Sequence, residues 1–184
     1  MENGESSYRR FLAGDDEGMV ELIRNYKDGL ILYLCSITGD IDSAEECVQD
    51  TFIRLAVKKP HFAGRSSFRT WLYAIGRNMA VDRLRSLKRR RQTSLEDAAE
   101  ISDGSDLERS YLMSERKVTL HRAMRNLKKE YQQVLWLTYF EEFTAAEAAS
   151  AMGKTRKQTE NLLYNARKAL RTELEKEGFS YDEL

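Results

Sequence analysis

An all-α fold, with two small helical domains joined by a flexible acidic linker, is what this sequence predicts, and three observations carry the prediction. The 184 residues include one proline, Pro60, and no alternating β-branched stretch of any length, so helices are the natural way to satisfy the backbone. Apolar residues recur at helical spacing through residues 1–91 and again through 107–184. Between them, residues 92–106 (QTSLEDAAEISDGSD) are acidic, small and poor in large apolar groups, which is linker composition. A chain of this length holds one domain or two small ones. The break in composition selects two.

In the first half, Ser7–Leu12 forms a helical turn before Gly14. From Asp16, the residues Met19, Leu22, Ile23, Tyr26, Leu30 and Tyr33 or Leu34 keep helical spacing, and acids in the first turn suit the helix dipole. Gly29 inside this segment is a candidate kink, and Gly39-Asp40 ends it. Asp42-Ser43-Ala44-Glu45 has the form of a capping box, followed by the stripe Ala44, Val48, Thr51, Phe52 and Leu55, which stops before Pro60. His61–Arg65 is a short basic loop.

Ser66–Arg91 is the third helix of this half. Phe68, Leu72, Ile75 and Met79 form its apolar stripe, Trp71 widens it, and Ser66 or Ser67 caps its start. Arg69, Tyr73, Arg77 and Asn78 lie away from that stripe, and the helix ends in Lys88, Arg89, Arg90 and Arg91. Rings interleaved with arginines suit a single nucleic acid strand, because bases stack on rings while guanidiniums neutralise phosphates. A core helix with a solvated basic face reads the same way.

The second half resumes with a helix near Leu107–Asn126. Lys129–Phe140 follows, apolar nearly all round through Val134, Leu135, Leu137 and Tyr139, and so central. Thr144 with Glu147 completes a capping box for the short Ala145–Met152 helix. Gly153 supplies a tight turn, and Thr155 caps a last helix running to about Lys176 on the stripe Leu163, Ala166, Leu170 and Leu174. Ala149, Gly153 and Leu162 fall at the spacings of a helix-turn-helix, although an ordinary helical hairpin shares them. The last helix then turns Arg156, Lys157, Gln158, Glu160, Asn161, Tyr164, Asn165, Arg167 and Lys168 to solvent, where Arg, Gln and Asn can read base edges in a major groove.

Formal net charge is +0, yet residues 51–91 carry 12 basic side chains against Asp82 alone, net +11. Local fields of this kind, rather than total charge, steer polyanions. Cys35 and Cys47 lie on apolar segments and read as buried thiols of a reducing compartment. His61 and His121 are isolated, so no metal site is expected, and neither a catalytic constellation nor a cofactor motif is visible. The longest apolar run, around Leu30–Leu34, is too short to span a bilayer, and Met1–Ser7 does not read as a signal peptide. The expectation is a cytoplasmic protein without membrane insertion.

Three stretches carry a resemblance. Asp42-Ser43-Ala44-Glu45-Glu46-Cys47-Val48-Gln49-Asp50-Thr51-Phe52-Ile53-Arg54-Leu55 resembles the segment of bacterial RNA polymerase sigma factors that docks on the polymerase clamp helices. Phe68-Arg69-Thr70-Trp71-Leu72-Tyr73-Ala74-Ile75-Gly76-Arg77-Asn78, followed by Asp82-Arg83-Leu84-Arg85, is similar to their promoter-melting segment. Leu127–Leu170 resembles their region 4. The chain thus looks like a member of the extracytoplasmic-function (ECF) subgroup of the sigma-70 family, two helical DNA-binding domains joined by a flexible linker.

The resemblance implies a non-enzymatic subunit that binds core RNA polymerase and promoter DNA and directs transcription initiation, with an anti-sigma factor as a further partner. It implies domains at 1–91 (region 2) and 107–184 (region 4) around the 92–106 linker. Polymerase docking falls to Glu46, Gln49, Asp50, Ile53 and Arg54. The displaced single strand falls to Arg65, Ser66, Arg69, Tyr73, Arg77 and Asn78, with Phe68 and Trp71 given to the core. The upstream duplex falls to Arg156, Lys157, Gln158, Asn161, Asn165, Arg167 and Lys168. Thr159, Glu160 and Leu162 depart from the family's usual recognition helix, as does the basic pair Arg156-Lys157. Glu160 and Leu162 keep a sigma-like adaptor or decoy as an alternative, and a two-domain repressor with residues 1–91 as its effector domain is a further one.

Overall fold

The computed structural model describes residues 4–93, 120 and 122–176; the expected linker beyond Thr93, and the helix expected from Leu107 as far as residue 119, lie outside them. All regular structure among the described residues is helical. The first half contains α1 (Gly4–Leu12), α2 (Glu17–Thr38), α3 (Ile41–Lys58) and α4 (Phe68–Thr93). Residues 122–125 are helical, and then come α5 (Lys129–Leu135), a π-helical turn (Trp136–Phe140), α6 (Ala145–Met152) and α7 (Arg156–Lys176).

Helix α2 is the axis of the first half and packs on α1, α3 and α4. Its Leu22, Leu30, Ile31 and Leu34 are fully buried with Leu55 of α3 and Leu72 of α4. An aromatic cluster closes one end: Phe68 and Trp71 lie 5.4 Å apart, Tyr8 is 5.5 Å from Phe68, and Phe62 is 5.2 Å from Trp71. The Tyr8 hydroxyl donates to the Pro60 carbonyl at 2.9 Å, which leaves this buried ring without an orphaned polar atom.

Local chemistry sets the boundaries. Gly39 adopts the left-handed conformation (φ 99°) and its N–H returns to the Cys35 carbonyl, ending α2. The cap of α3 is Asp40 rather than Asp42: its extended backbone frees the carboxylate to accept the Ser43 N–H at 2.7 Å, so the helix begins at Ile41. Ser67 caps α4, accepting the Thr70 N–H at 3.2 Å. The expected box at α6 is present in both directions, with the Glu147 N–H on the Thr144 hydroxyl at 3.3 Å and the Thr144 N–H on the Glu147 carboxylate at 3.0 Å.

Two expectations change. Helix α2 runs through Gly29, which serves as a notch rather than a kink: a β-carbon there would stand 2.7 Å from the Tyr73 hydroxyl and collide with Glu141. Tyr139, expected inside a central apolar helix, is 54% exposed. The helix widens just there into a turn closed by Glu141 N–H on the Trp136 carbonyl, Trp136 stacks on Phe140 at 4.3 Å, and Tyr139 is rotated outwards. The two helical halves pack against each other, α4 on α6 and α2 on α5, over one continuous core.

Candidate nucleic-acid and polymerase interfaces

On α3, Glu46, Gln49, Asp50, Ile53 and Arg54 follow helical spacing and are all exposed, so one face of the helix gathers them. Ile53 is 57% exposed and Val57, one turn further on, 68%. Val57 was not among the expected residues, yet its place four residues after Ile53 is the signal that finds it. Glu46 pairs with Arg83 of α4, which ties this face to the neighbouring helix.

The six expected strand contacts, two in the loop before α4 and four on it, divide. Arg65 and Asn78 are exposed and Ser66 is half-buried. Arg77 is half-buried and its Nε is enclosed without a hydrogen-bond partner. Tyr73 is 1% exposed, against the expectation that it faces solvent. Its ring lies 5.4 Å from Tyr33 and 5.3 Å from Phe143, because the second half covers this side of α4 and makes a core position of it. Burial pushes the Tyr73 phenol well above its usual range, and the Glu141 carboxylate adds to the shift.

Arg69 is half-buried and has a partner, since its guanidinium is paired with the Glu141 carboxylate. It also lies 4.9 Å above the Phe143 ring and 5.9 Å from that of Tyr73. Burial works against its charge, and the Glu141 bond and field outweigh that, so its pKa is raised.

Helix α7 follows the Gly153 turn (φ 64°), and Thr155 caps it. The Gln158 N–H donates to the Thr155 hydroxyl at 3.2 Å, and the Gln158 side-chain oxygen accepts the Thr155 N–H at 2.9 Å. Thr159, Leu163, Ala166 and Leu174 are buried, while all nine residues expected to face solvent, Arg156 to Lys168, are exposed. Thr159 therefore sits in the core, its hydroxyl satisfied by the Thr155 carbonyl at 3.1 Å. Glu160 accepts from Arg156 at 2.8 Å. The Tyr139 hydroxyl, turned out by the π turn, accepts from Arg167 at 2.6 Å.

Two family matches fall on this frame in order. The family Sigma-70 region 2 matches residues 22–90, and Sigma-70, region 4 matches residues 117–170. The chain belongs to the sigma-70 family, as an ECF sigma factor.

The ECF RNA polymerase sigma factor SigW of Bacillus subtilis is 26% identical to it over 88% of this chain and 91% of the relative. The sigma factor YlaC of the same organism is 27% identical over 87% and 94%. Among solved structures, the sigma factor RpoE in complex with the anti-sigma factor NepR, from Bartonella quintana, superposes with a TM-score of 0.66. The two are 22% identical over 84% of this chain and 95% of that one, a likeness of fold. This ECF sigma factor directs transcription initiation by RNA polymerase. Sigma factors are generally non-enzymatic, and no helix among its described residues is long and apolar enough to cross a membrane.

Proposed function

We propose that three surfaces divide the work of initiation. The exposed α3 face of Glu46, Gln49, Asp50, Ile53 and Arg54, extended by Val57, docks on core polymerase. Ile53 and Val57, exposed one turn apart beside the charged and polar residues of the same face, fit the apolar centre and polar rim of an interface. Helix α7 enters the major groove of the upstream promoter duplex, with Arg156, Lys157, Arg167 and Lys168 on phosphates and Gln158, Asn161 and Asn165 towards base edges. The loop residues Arg65 and Ser66, with Arg69, Arg77 and Asn78 on the basic side of α4, take the displaced strand, and the buried Tyr73 joins them once region 4 moves off it. The units doing this are region 2 over 1–91 and region 4 over 107–184, and the sigma factor has no catalysis of its own. An anti-sigma factor belongs to the same proposal, supported by a solved sigma factor of this fold, RpoE, that is a complex with the anti-sigma factor NepR.

The observation that carries the reading is the recognition helix. A core of Thr159, Leu163 and Ala166 holds nine polar or aromatic residues outwards on a capped, glycine-turned helix. Run-off transcription with core polymerase tests it. The wild type starts transcripts at defined sites, and Asp50→Lys, a surface change that costs stability within about 0.5 kcal/mol, loses both capture of core polymerase and run-off product. Absence of defined starts with the wild type points instead to the decoy or repressor. Unchanged capture by Asp50→Lys removes polymerase docking from the α3 face.

A further inference from the structure

Region 4 presents to region 2 the groups that a nucleotide would present. The Glu141 carboxylate sits on the Arg69 guanidinium as a phosphate would, in a charge-assisted pair. The Phe143 ring lies 4.9 Å beneath that guanidinium and meets the Tyr73 ring at 5.3 Å, tilted by 51°, so it fills the space beside both groups that an unstacked base would enter. Gly29 provides the notch that admits Glu141 beside the Tyr73 hydroxyl. An ordinary surface ion pair does not look like this, since Glu141 is 7% exposed.

A second grip lies at the far end of α2. The Lys129 ammonium donates to the carbonyls of Ile37 at 2.8 Å and Thr38 at 3.2 Å. These are among the carbonyls that a helix end leaves without partners, and a cation there is favoured by the helix dipole. Both grips join region 4 to region 2, and both would have to let go for the halves to part.

We propose that Glu141 and Phe143 are an internal stand-in for single-stranded DNA, clasping region 4 over the strand-binding face so that the free sigma factor holds itself closed. The proposal rests on the reading of α4 as the strand-binding helix. A strand can reach Tyr73, and take the place of Glu141 on Arg69, only when the clasp is open, so the free chain binds single strands with an affinity reduced by its open fraction. Replacing Glu141 with a cation leaves Arg69 partly buried against a like charge, which opens the chain. Neither Glu141 nor Lys129 is a proposed polymerase or DNA contact, and because Glu141→Lys also adds positive charge beside the strand-binding face, the gain in strand affinity is judged on Lys129→Ala as well, which removes a positive charge.

The test uses the full chain carrying fluorophores at Asp42→Cys and Thr172→Cys, exposed positions on α3 and α7, since Cys35 and Cys47 are buried. The wild type gives one short-distance population. Glu141→Lys shifts it to a long distance and binds a single-stranded oligodeoxynucleotide roughly tenfold more tightly, as the open fraction rises. The swap Arg69→Glu with Glu141→Lys restores the short distance. Lys129→Ala, with helical content checked by circular dichroism, opens the chain independently.

A wild type already at the long distance overturns the clasp, as does a Glu141→Lys chain with unchanged distance and strand affinity. Opening without any gain in strand binding overturns the stand-in. Run-off transcription by the wild type judges the function separately, and it can succeed while the clasp fails.

Discussion

At the scale of single residues, the recognition helix shows how a cap narrows a reader. The Gln158 side-chain oxygen is held by the Thr155 N–H, so only its amide hydrogens remain to meet a base. It can donate to an acceptor edge such as guanine O6 or N7, but the bidentate contact to adenine needs the oxygen as well. Gln158→Ala is expected to relax preference at one base pair at a cost of about 1–3 kcal/mol. Lys157→Ala weakens binding to all sequences alike and flattens the salt slope by about one. Binding of the full chain to a panel of upstream duplexes across salt separates the two, and exchanged outcomes reverse the roles. Glu160 occupies Arg156 in an exposed pair of the kind usually contributing under about 1 kcal/mol. Arg156 is therefore easily released to a phosphate.

At the scale of elements, the caps and stripes were legible because they are local. The α6 box, the Gly153 turn, the Ser67 cap and the outward face of α7 follow from residues three or four apart, which one helix brings together whatever surrounds it. The start of α3 was placed two residues late because Asp40 and Asp42 carry the same side chain, and only the extended backbone at Asp40 decides between them. The α6 box also sets a pH dependence. The Thr144 N–H, and to a smaller degree its hydroxyl, the Ser67 hydroxyl and the Arg69 charge, hold the Glu147 carboxyl below its usual range. A depressed carboxyl contributes stability that is present above its unfolded pKa and lost as pH falls through the folded value. Thermal melting between about pH 6 and 3 is expected to show that loss, reduced in Glu147→Gln, while Thr144→Ala costs about 1 kcal/mol at neutral pH. A melting slope that Glu147→Gln leaves unchanged assigns the acid loss to other carboxylates.

At the scale of the whole molecule, the division into two helical halves was legible from the composition break, whereas their mutual packing was not. Tyr73 and Arg69 read as solvent-facing because nothing on α4 itself buries them; the groups that do, Glu141 and Phe143, stand about seventy positions away. Patterning reports which face of a helix its own neighbours leave free, and is silent on what arrives from a distant segment. Gly29 was visible as a glycine, but its use as a notch required knowing that a carboxylate would come to it.

The π turn carries this one step further, to inheritance. A turn closed by residue i+5 holds one residue more than an α-helical turn, and each residue advances a helix by about 100°. Glu141 and Phe143 follow directly on that extra residue, so their bearing towards region 2 depends on a single codon. In-frame deletion of Thr138 is expected to draw the turn back to an α-helix and swing Glu141 off Arg69. Region 4 would keep its capped α6 and α7 while the labelled chain moves to the long distance. A lineage could thus pass between a self-closed and an open sigma factor in one genetic event, with no change to any residue that touches polymerase or promoter.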